Sequence, residues 1–427
     1  MKPYVYQTLP PGDRRIRLLQ LLPGQGIDDI RCNISNYTIN IERPFGIYEA
    51  LSYCWDQADA EFRYLDVTTN LFAGLRQLRD PSLPRTLWID AICINQNDMK
   101  ERSKQVTFMA TIYASAQQVV VWLGEQSKDY NDSGNVCRPL QYIRDVTKTH
   151  VELSGNLELA FRKVLQAPWF TRVWILQEVA AARSLSIKYS DEEISGASFT
   201  VGMQELWKTT AGNLPAWIPM ITHLMSWIPP APSVHMRTQT LGKAPLGNLV
   251  EMFHLSDATD PRDKVYGLLG LTSDGHALHE MQPDYTRSWK MLFNDLIRCL
   301  LGKNASVLTW EDKDCAIITT VGCVIGYVQS ASMERVEVSS RHFNDHTRGN
   351  APVLSICWSI EQYSKKILEN DLVCLLEGST YPTILRPCSD HFDIIVIALS
   401  STPQICIQPR NGNRSRDPEL FPMLIPT

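Results

Sequence analysis

YEALSYCWD, residues 48–56, is the stretch whose reading decides the fold. Ala50 to Cys54 make a short apolar run that ends in a polar and aromatic cluster, Ser52, Tyr53, Trp55 and Asp56. Such a run, flanked by polar residues, predicts a central strand of a sheet covered on both faces. In open α/β sheets, ligands bind where strands of this kind end. LWIDAICINQ (87–96) and RVWILQEVA (172–180) have the same build.

Working outward, IRLLQLL (16–22), closed by Pro23-Gly24, and the alternating CNISNYTINI (32–41) predict an antiparallel edge pair leading into the strand at 50–54. Leu71, Leu75 and Leu78 predict a helix over 68–79 with Thr69 or Asn70 as its cap and Pro81 as its stop. LWID (87–90) is the next strand. Asp98 then caps a helix over 99–116 with the apolar stripe Val106, Met109, Ile112 and Tyr113. QVVVWLG (118–124) is a third strand, and strands alternating with helices over short links predict right-handed βαβ units and a parallel sheet. A helical stretch over 156–166, a strong helix over RVWILQEVAAARSL and a strand at 186–190 complete this part.

Farther on, 246–271 predicts two helices around a turn in which Asp260, Arg262 and Asp263 pair, and 288–302 an amphipathic helix. Short strand-like runs follow residue 305. The fold class expected is α/β, a parallel sheet with flanking helices, followed by a helical region and a small β-rich C-terminal part. The boundaries expected are 1–190 for the α/β domain with its core at 48–180, 191–304 for the helical region, 305–399 for the β-rich region, and 400–427 for a disordered tail.

A chain of 427 residues exceeds one ordinary core, and 44% hydrophobic with 20% charged residues is a globular composition. The net charge of −5, without basic runs, argues against nucleic acid as a partner. The longest apolar segments, such as 317–328, are too short to span a membrane, and the first residues lack the apolar core of a signal peptide. Eleven cysteines, with no C-x-x-C pair, read as reduced and mostly buried thiols of a cytoplasmic protein. No metal is expected, because His276 and His279, read as lying in an exposed loop, have no third ligand near them in sequence.

The succession YEALSYCWD, LWIDAICINQNDMKERSKQV, MATIYASAQQVVVWLG, RVWILQEVA and DPRDKVYGLLGL resembles the HET (heterokaryon incompatibility) domain proteins of filamentous fungi. The resembling domain runs from Tyr48 to Glu178; DPRDKVYGLLGL and DLVCLLEGSTYPTILRP (371–387) resemble its flanking region. Two features depart from the family: Asp56 stands where Gly is usual, and no glycine-rich segment closes the C-terminal end. HET domains are similar to TIR domains, which are flavodoxin-like and in several lineages cleave NAD. The resemblance implies a TIR-like sheet, Glu178 as the catalytic carboxylate, and NAD as a substrate with no cofactor. It brings Ser52, Tyr53, Trp55, Asp56, Asp90 and Trp174 to the substrate. It also implies non-self recognition and programmed cell death, with self-association or another incompatibility or NLR-type protein as partner.

Cleaving the nicotinamide–ribose bond needs no metal, since nicotinamide is already a good leaving group. One carboxylate near the ribose stabilises the oxocarbenium-like transition state. Plainer readings stand beside these. Glu178 could complement a helix dipole or pair with Arg172 or Arg183, and Trp55 and Trp174 could be core. Asp90 could cap the next turn through the Ile92 or Cys93 amide, and Cys93 reads as a buried structural thiol. Two other functions remain open, a non-enzymatic signalling or assembly module and a HET-like protein recruited to another pathway such as secondary metabolism.

Overall fold

The computed structural model describes residues 4–12, 14–26, 28–40, 46–55, 67–126, 138–146, 162–209, 225, 244–309, 315–332, 335–340, 353–360 and 365–408. Two compact units are present, one of Met1–Lys243, Ser256–Leu271 and Gln282–Thr286, the other of Ala244–Leu255, Thr272–Met281 and Arg287–Thr427.

The first unit is built on strands β1 (Arg15–Leu21), β2 (Cys32–Thr38), β3 (Glu49–Tyr53), β4 (Arg85–Trp88), β5 (Val119–Trp122), β6 (Leu185–Tyr189) and β7 (Glu192–Ser195). They form one sheet in the order β2-β1-β4-β3-β5-β6-β7. The predicted parallel sheet is its centre: β4, β3, β5 and β6 run parallel, while β1, β2 and β7 pair antiparallel, so the whole sheet is mixed. Taken in chain order, the parallel strands lie 2-1-3-4, the order of doubly wound flavodoxin-like sheets. All four residues of β5 are buried, as are Ala50 to Tyr53 of β3, because helices cover both faces. The edge hairpin forms as expected but docks on β4 rather than β3, with Leu19 opposite Leu87. Nine-tenths or more of Arg17 is buried there, where it donates to the Cys93 carbonyl and to both oxygens of Glu101.

Helix termini follow local chemistry with informative shifts. The first helix is Thr69–Leu78, and its cap is Thr68, whose hydroxyl accepts from the Leu71 amide at 3.2 Å. Asn70, one candidate cap, is used elsewhere: its Nδ2 donates to the Cys54 carbonyl at 2.9 Å and its Oδ1 accepts from Trp122 Nε1 at 2.9 Å. Asp98 caps Met99–Thr107 through the Lys100 and Glu101 amides. The helix predicted over 99–116 is two, broken at Phe108, and the second, Met109–Ser115, carries Met109, Ile112 and Tyr113 into the core.

The long helix expected over RVWILQEVAAARSL is shorter. Pro168–Thr171 form a 3-10 turn, Arg172 is extended, and the helix runs only Ile175–Ala180. The Val173 amide donates to the Asp257 carbonyl at 2.9 Å, which ties the segment before the helix to residue 257, and beyond the helix Leu185–Tyr189 belong to β6. Every residue of Ile175–Ala180 is buried, the signature of a core helix. It is fixed by the helix Asp263–Leu269, where the Gln177 amide donates to the carbonyls of Tyr266 and Gly267 at 2.9 and 3.0 Å. The DPRDKVYGLLGL block is therefore part of the first unit. Its turn carries the expected pair, with Arg262 on Asp260 at 2.6 Å, and the guanidinium of Arg102 lies over the Tyr285 ring at 3.8 Å.

The second unit carries a seven-stranded antiparallel sheet in the order β15-β14-β13-β10-β11-β12-β16 and a hairpin of β8 (Ser306–Thr309) and β9 (Ala316–Thr319). The seven are β10 (Gly322–Ala331), β11 (Arg335–Ser340), β12 (Val353–Ser359), β13 (Leu372–Leu376), β14 (Thr383–Pro387), β15 (Phe392–Val396) and β16 (Gln404–Gln408). Val328, Val336, Val338, Trp358, Val373, Ile384 and Ile395 form its core. The ladder continues past residue 400, since β16 pairs with β12 from Gln404 to Gln408. His276 and His279 sit in a short helix, Gly275–Glu280, instead of a loop. The cysteines divide more evenly than expected: Cys93, Cys357 and Cys374 are buried, while Cys32, Cys315, Cys323 and Cys388 are exposed. Among the described residues no helix is long and apolar enough to cross a membrane.

Close approach at Gly270 holds the Ile175–Ala180 helix in place, since a Cβ there would lie 2.7 Å from Cδ of Gln177. That amide cannot yield without leaving its two carbonyls, so Gly270→Ala is expected to destabilise by about 1–3 kcal/mol. Gly275→Ala, facing open space, should be neutral or stabilising by about 0.4–1 kcal/mol. Urea unfolding of the two variants checks this; equal midpoints would show that Gln177 gives way freely.

Candidate functional site

Strands β3 and β4 run parallel, so their carboxyl ends emerge together at one edge of the sheet. Ser52 and Tyr53 close β3, and Asp90 follows β4 by two residues. The Ile175–Ala180 helix brings Glu178 to the same place. Ser52 Oγ donates to Glu178 Oε2, joining residues 126 positions apart. Trp169 Nε1 in turn donates to Ser52 Oγ at 2.7 Å. An indole N–H is only a donor, so the single hydroxyl proton of Ser52 is left for the carboxylate. Tyr113 completes the surround, its hydroxyl donating to the Leu51 carbonyl at 3.2 Å and reaching Glu178 as well.

Glu178 is 1% exposed. Burial raises its pKa to about 7, against the opposing pull of the Arg172 charge and the Ser52 hydrogen bond; the Asp90 charge adds to the rise. Glu178 lies in the first turn of its helix, and of its two candidate partners Arg172 is the one it feels. Arg183 Nε donates to the Ala114 carbonyl at 2.6 Å. Burial disfavours the Arg172 cation, but Glu178 and Asp90 more than offset this and hold it above its ordinary value. Arg172 also donates to the Tyr53 carbonyl, which ties the strand end to the segment before the helix.

Asp90 is partly exposed, and burial raises its pKa as well, opposed by Arg172. Its Oδ1 accepts from the Ala91 amide at 2.7 Å and from Trp55 Nε1 at 3.3 Å. The Ile92 and Cys93 amides go to the Ile89 carbonyl instead, so Asp90 caps one residue earlier than the sequence suggests. Trp55 is 43% exposed and covers Asp90 from the solvent side as a surface aromatic, not core. The Tyr53 ring is buried and, among the described residues, its hydroxyl has no hydrogen-bond partner. It senses the charges of Asp90, Arg172 and Glu178. An unpaired buried hydroxyl costs roughly 1–3 kcal/mol and marks a place where a ligand or water gains a bond.

Of the seven residues that the sequence singles out, Ser52, Tyr53, Trp55, Asp90 and Glu178 come together. Trp174 is half-buried and hydrogen-bonds Asp263, in the cluster with Tyr285 and Arg102. Asp56 lies outside the described residues. Trp169 and Tyr113, for which no site role was expected, join the site, as does Arg172, expected only as a possible ion-pair partner of Glu178. Trp169 precedes the RVWILQE block and Arg172 opens it, and a charged residue between two aromatic segments was the available signal. Tyr113 looks like an ordinary core position on its helix. Cys93 is a buried thiol whose pKa burial pushes up to about 12, which fits its structural reading.

The model of the heterokaryon incompatibility protein (HET) family matches residues 48–178. The chain is also 31% identical over 365 residues to heterokaryon incompatibility protein 6, OR allele, of Neurospora crassa, an alignment covering 70% of this chain and 53% of that protein. The chain thus spans about half the length of the curated relative it matches. No solved structure matches. The family match opens on Tyr48, which leads into β3, and closes on Glu178, the two ends of the buried cluster, and this chain belongs to the HET-domain proteins.

Proposed function

We propose that this chain is a fungal incompatibility protein acting in non-self recognition and programmed cell death, and that its HET domain, TIR-like in origin, hydrolyses NAD. The observation that carries the reading is Glu178: a buried carboxylate, hydrogen-bonded by Ser52, at the carboxyl edge of a parallel sheet beside Asp90 and Arg172. In the reaction the bond from ribose C1′ to the nicotinamide nitrogen breaks, and its electron pair leaves with nicotinamide. A water oxygen bonds to C1′ and releases one proton, giving ADP-ribose. Ionised Glu178 stabilises the positive charge that develops on the ribose. The unpaired Tyr53 hydroxyl offers a donor to a ribose oxygen, Arg172 supplies positive charge for the pyrophosphate, and the exposed face of Trp55 suits a flat ring.

At 1% exposure Glu178 does not meet solvent. A substrate reaches it only when the side chains around it move, which agrees with activation by self-association or by a partner. The same closure favours a second reading, an assembly module without turnover, and the variants below separate the two.

NAD turnover by the assembled protein is expected to fall by at least about 100-fold in Glu178→Gln. Turnover equal to wild type in that variant would remove Glu178 from the mechanism; assembly with no turnover in wild type would favour the second reading. kcat/KM should rise with pH through about 7 as Glu178 ionises. Ser52→Ala, which removes a bond to the ionised form, should move that rise to higher pH.

The same ionisation affects stability. A folded pKa of about 7 against an ordinary glutamate value of 4.5 means that the folded state holds the proton more tightly. Stability from this group is complete below the unfolded pKa and is lost as pH rises to about 7, by roughly 3 kcal/mol in total. Urea unfolding of Glu178→Gln should show a flatter pH dependence than wild type across this window. Parallel curves would mean that Glu178 titrates normally.

A further inference from the structure

In the second unit, β14 and β15 are joined by a tight turn, Cys388-Ser389-Asp390-His391. Pro387 stands opposite Phe392 and Arg386 opposite Asp393 on the ladder, and the Cys388 amide donates to the His391 carbonyl at 2.9 Å. Cys388 and His391 are thus a cross-strand pair. Asp393, two residues beyond His391, points to the same face because strand side chains alternate. One ligand atom from each of Cys388, His391 and Asp393 lies within 4.8 Å of the other two.

The geometry points to a divalent-cation site of the zinc type, with Cys388 Sγ, His391 Nε2 and Asp393 as its three protein ligands and water in the fourth position. His391 Nε2 is 3.5 Å from Asp393 Oδ1. Tetrahedral zinc, with bonds of about 2.0–2.3 Å, sets its ligand atoms roughly 3.3–3.8 Å apart, so this pair already spans one edge. Rotation of exposed side chains brings in the thiol. His391 Nδ1 is 2.7 Å from Asp390 Oδ1. A carboxylate holding Nδ1–H leaves the Nε2 lone pair for a metal, the usual support around zinc-binding histidines.

Charge and access agree with this. A thiolate, a carboxylate and a neutral imidazole carry two negative charges, matching a divalent ion, and a sulfur ligand selects zinc over magnesium or calcium. Arg386, opposite Asp393, is engaged by both oxygens of Asp371 at 2.8 Å instead. Cys388 and His391 are exposed, so an ion enters directly from solvent. Bound there, it would pin β15, the edge strand of the sheet, to its neighbour. The plain alternative is an imidazolium held between Asp390 and Asp393, with the thiol taking no part.

The two are separated by titrating the full chain, kept reduced, with Zn2+ against a chromophoric chelator and with Co2+ followed by absorption. The expected result is one site with a sulfur-to-cobalt charge-transfer band. Cys388→Ser should abolish the band, and Cys388→Ser and His391→Ala should each weaken Zn2+ binding by at least about tenfold. Asp390→Asn should keep the band and weaken binding by about tenfold or more. Cys315→Ser, an exposed thiol elsewhere, should change nothing. A band that survives Cys388→Ser, an affinity unchanged in His391→Ala, or failure to bind either ion overturns the site. The turn residues are exposed, so thermal melts should show every variant folded.

Discussion

Glu178 is a carboxylate placed where water does not reach, and the first unit is arranged around that constraint. An unpaired charge in such a place costs several kcal/mol, so the chain must either neutralise it or surround it. It does both in part. The pKa rises to about 7, while Ser52, Tyr113 and the Arg172 charge hold the ionised form. Trp169 fixes the Ser52 hydroxyl as a donor by occupying its acceptor side. A group poised between its two states near neutrality is costly to stability and useful to chemistry, the usual mark of a functional position.

The sheet makes this arrangement affordable. Parallel strands emerge at one edge, so the polar ends of β3 and β4 meet without any long loop. The helix that carries Glu178 has no exposed face and cannot be oriented by amphipathicity. It is oriented by polar contacts, through Gln177 to the helix Asp263–Leu269 and through Val173 to Asp257. The DPRDKVYGLLGL block therefore has a physical task in the domain it follows: it is the surface against which the Glu178 helix is set.

Much of this was legible in the residues. Unbroken apolar runs such as VVVW gave the buried strands, and Asp98 gave a helix start, because both depend on neighbours in sequence. The misreadings came from partners distant in sequence. Asn70 lost the capping role to Thr68 because Cys54 and Trp122 claim its amide. The helix after Arg172 ends at Ala180 and leaves Leu185–Tyr189 to pair with β5. In the second unit, a search for C-x-x-C or paired histidines passes over Cys388, His391 and Asp393, which become neighbours only when the hairpin closes.

The sequence by itself determined the order of strands and helices, the polar strand ends and, through five ordered blocks, the family. These are local patterns, set by side-chain period and by capping, and they survive without knowledge of the folded chain. Only the tertiary structure decided that Glu178 is buried, that Ser52 rather than a basic residue bonds it, and that Arg172, Trp169 and Tyr113 belong with it. Burial and charge coupling depend on what the rest of the chain packs around a group, and no window of sequence contains that information.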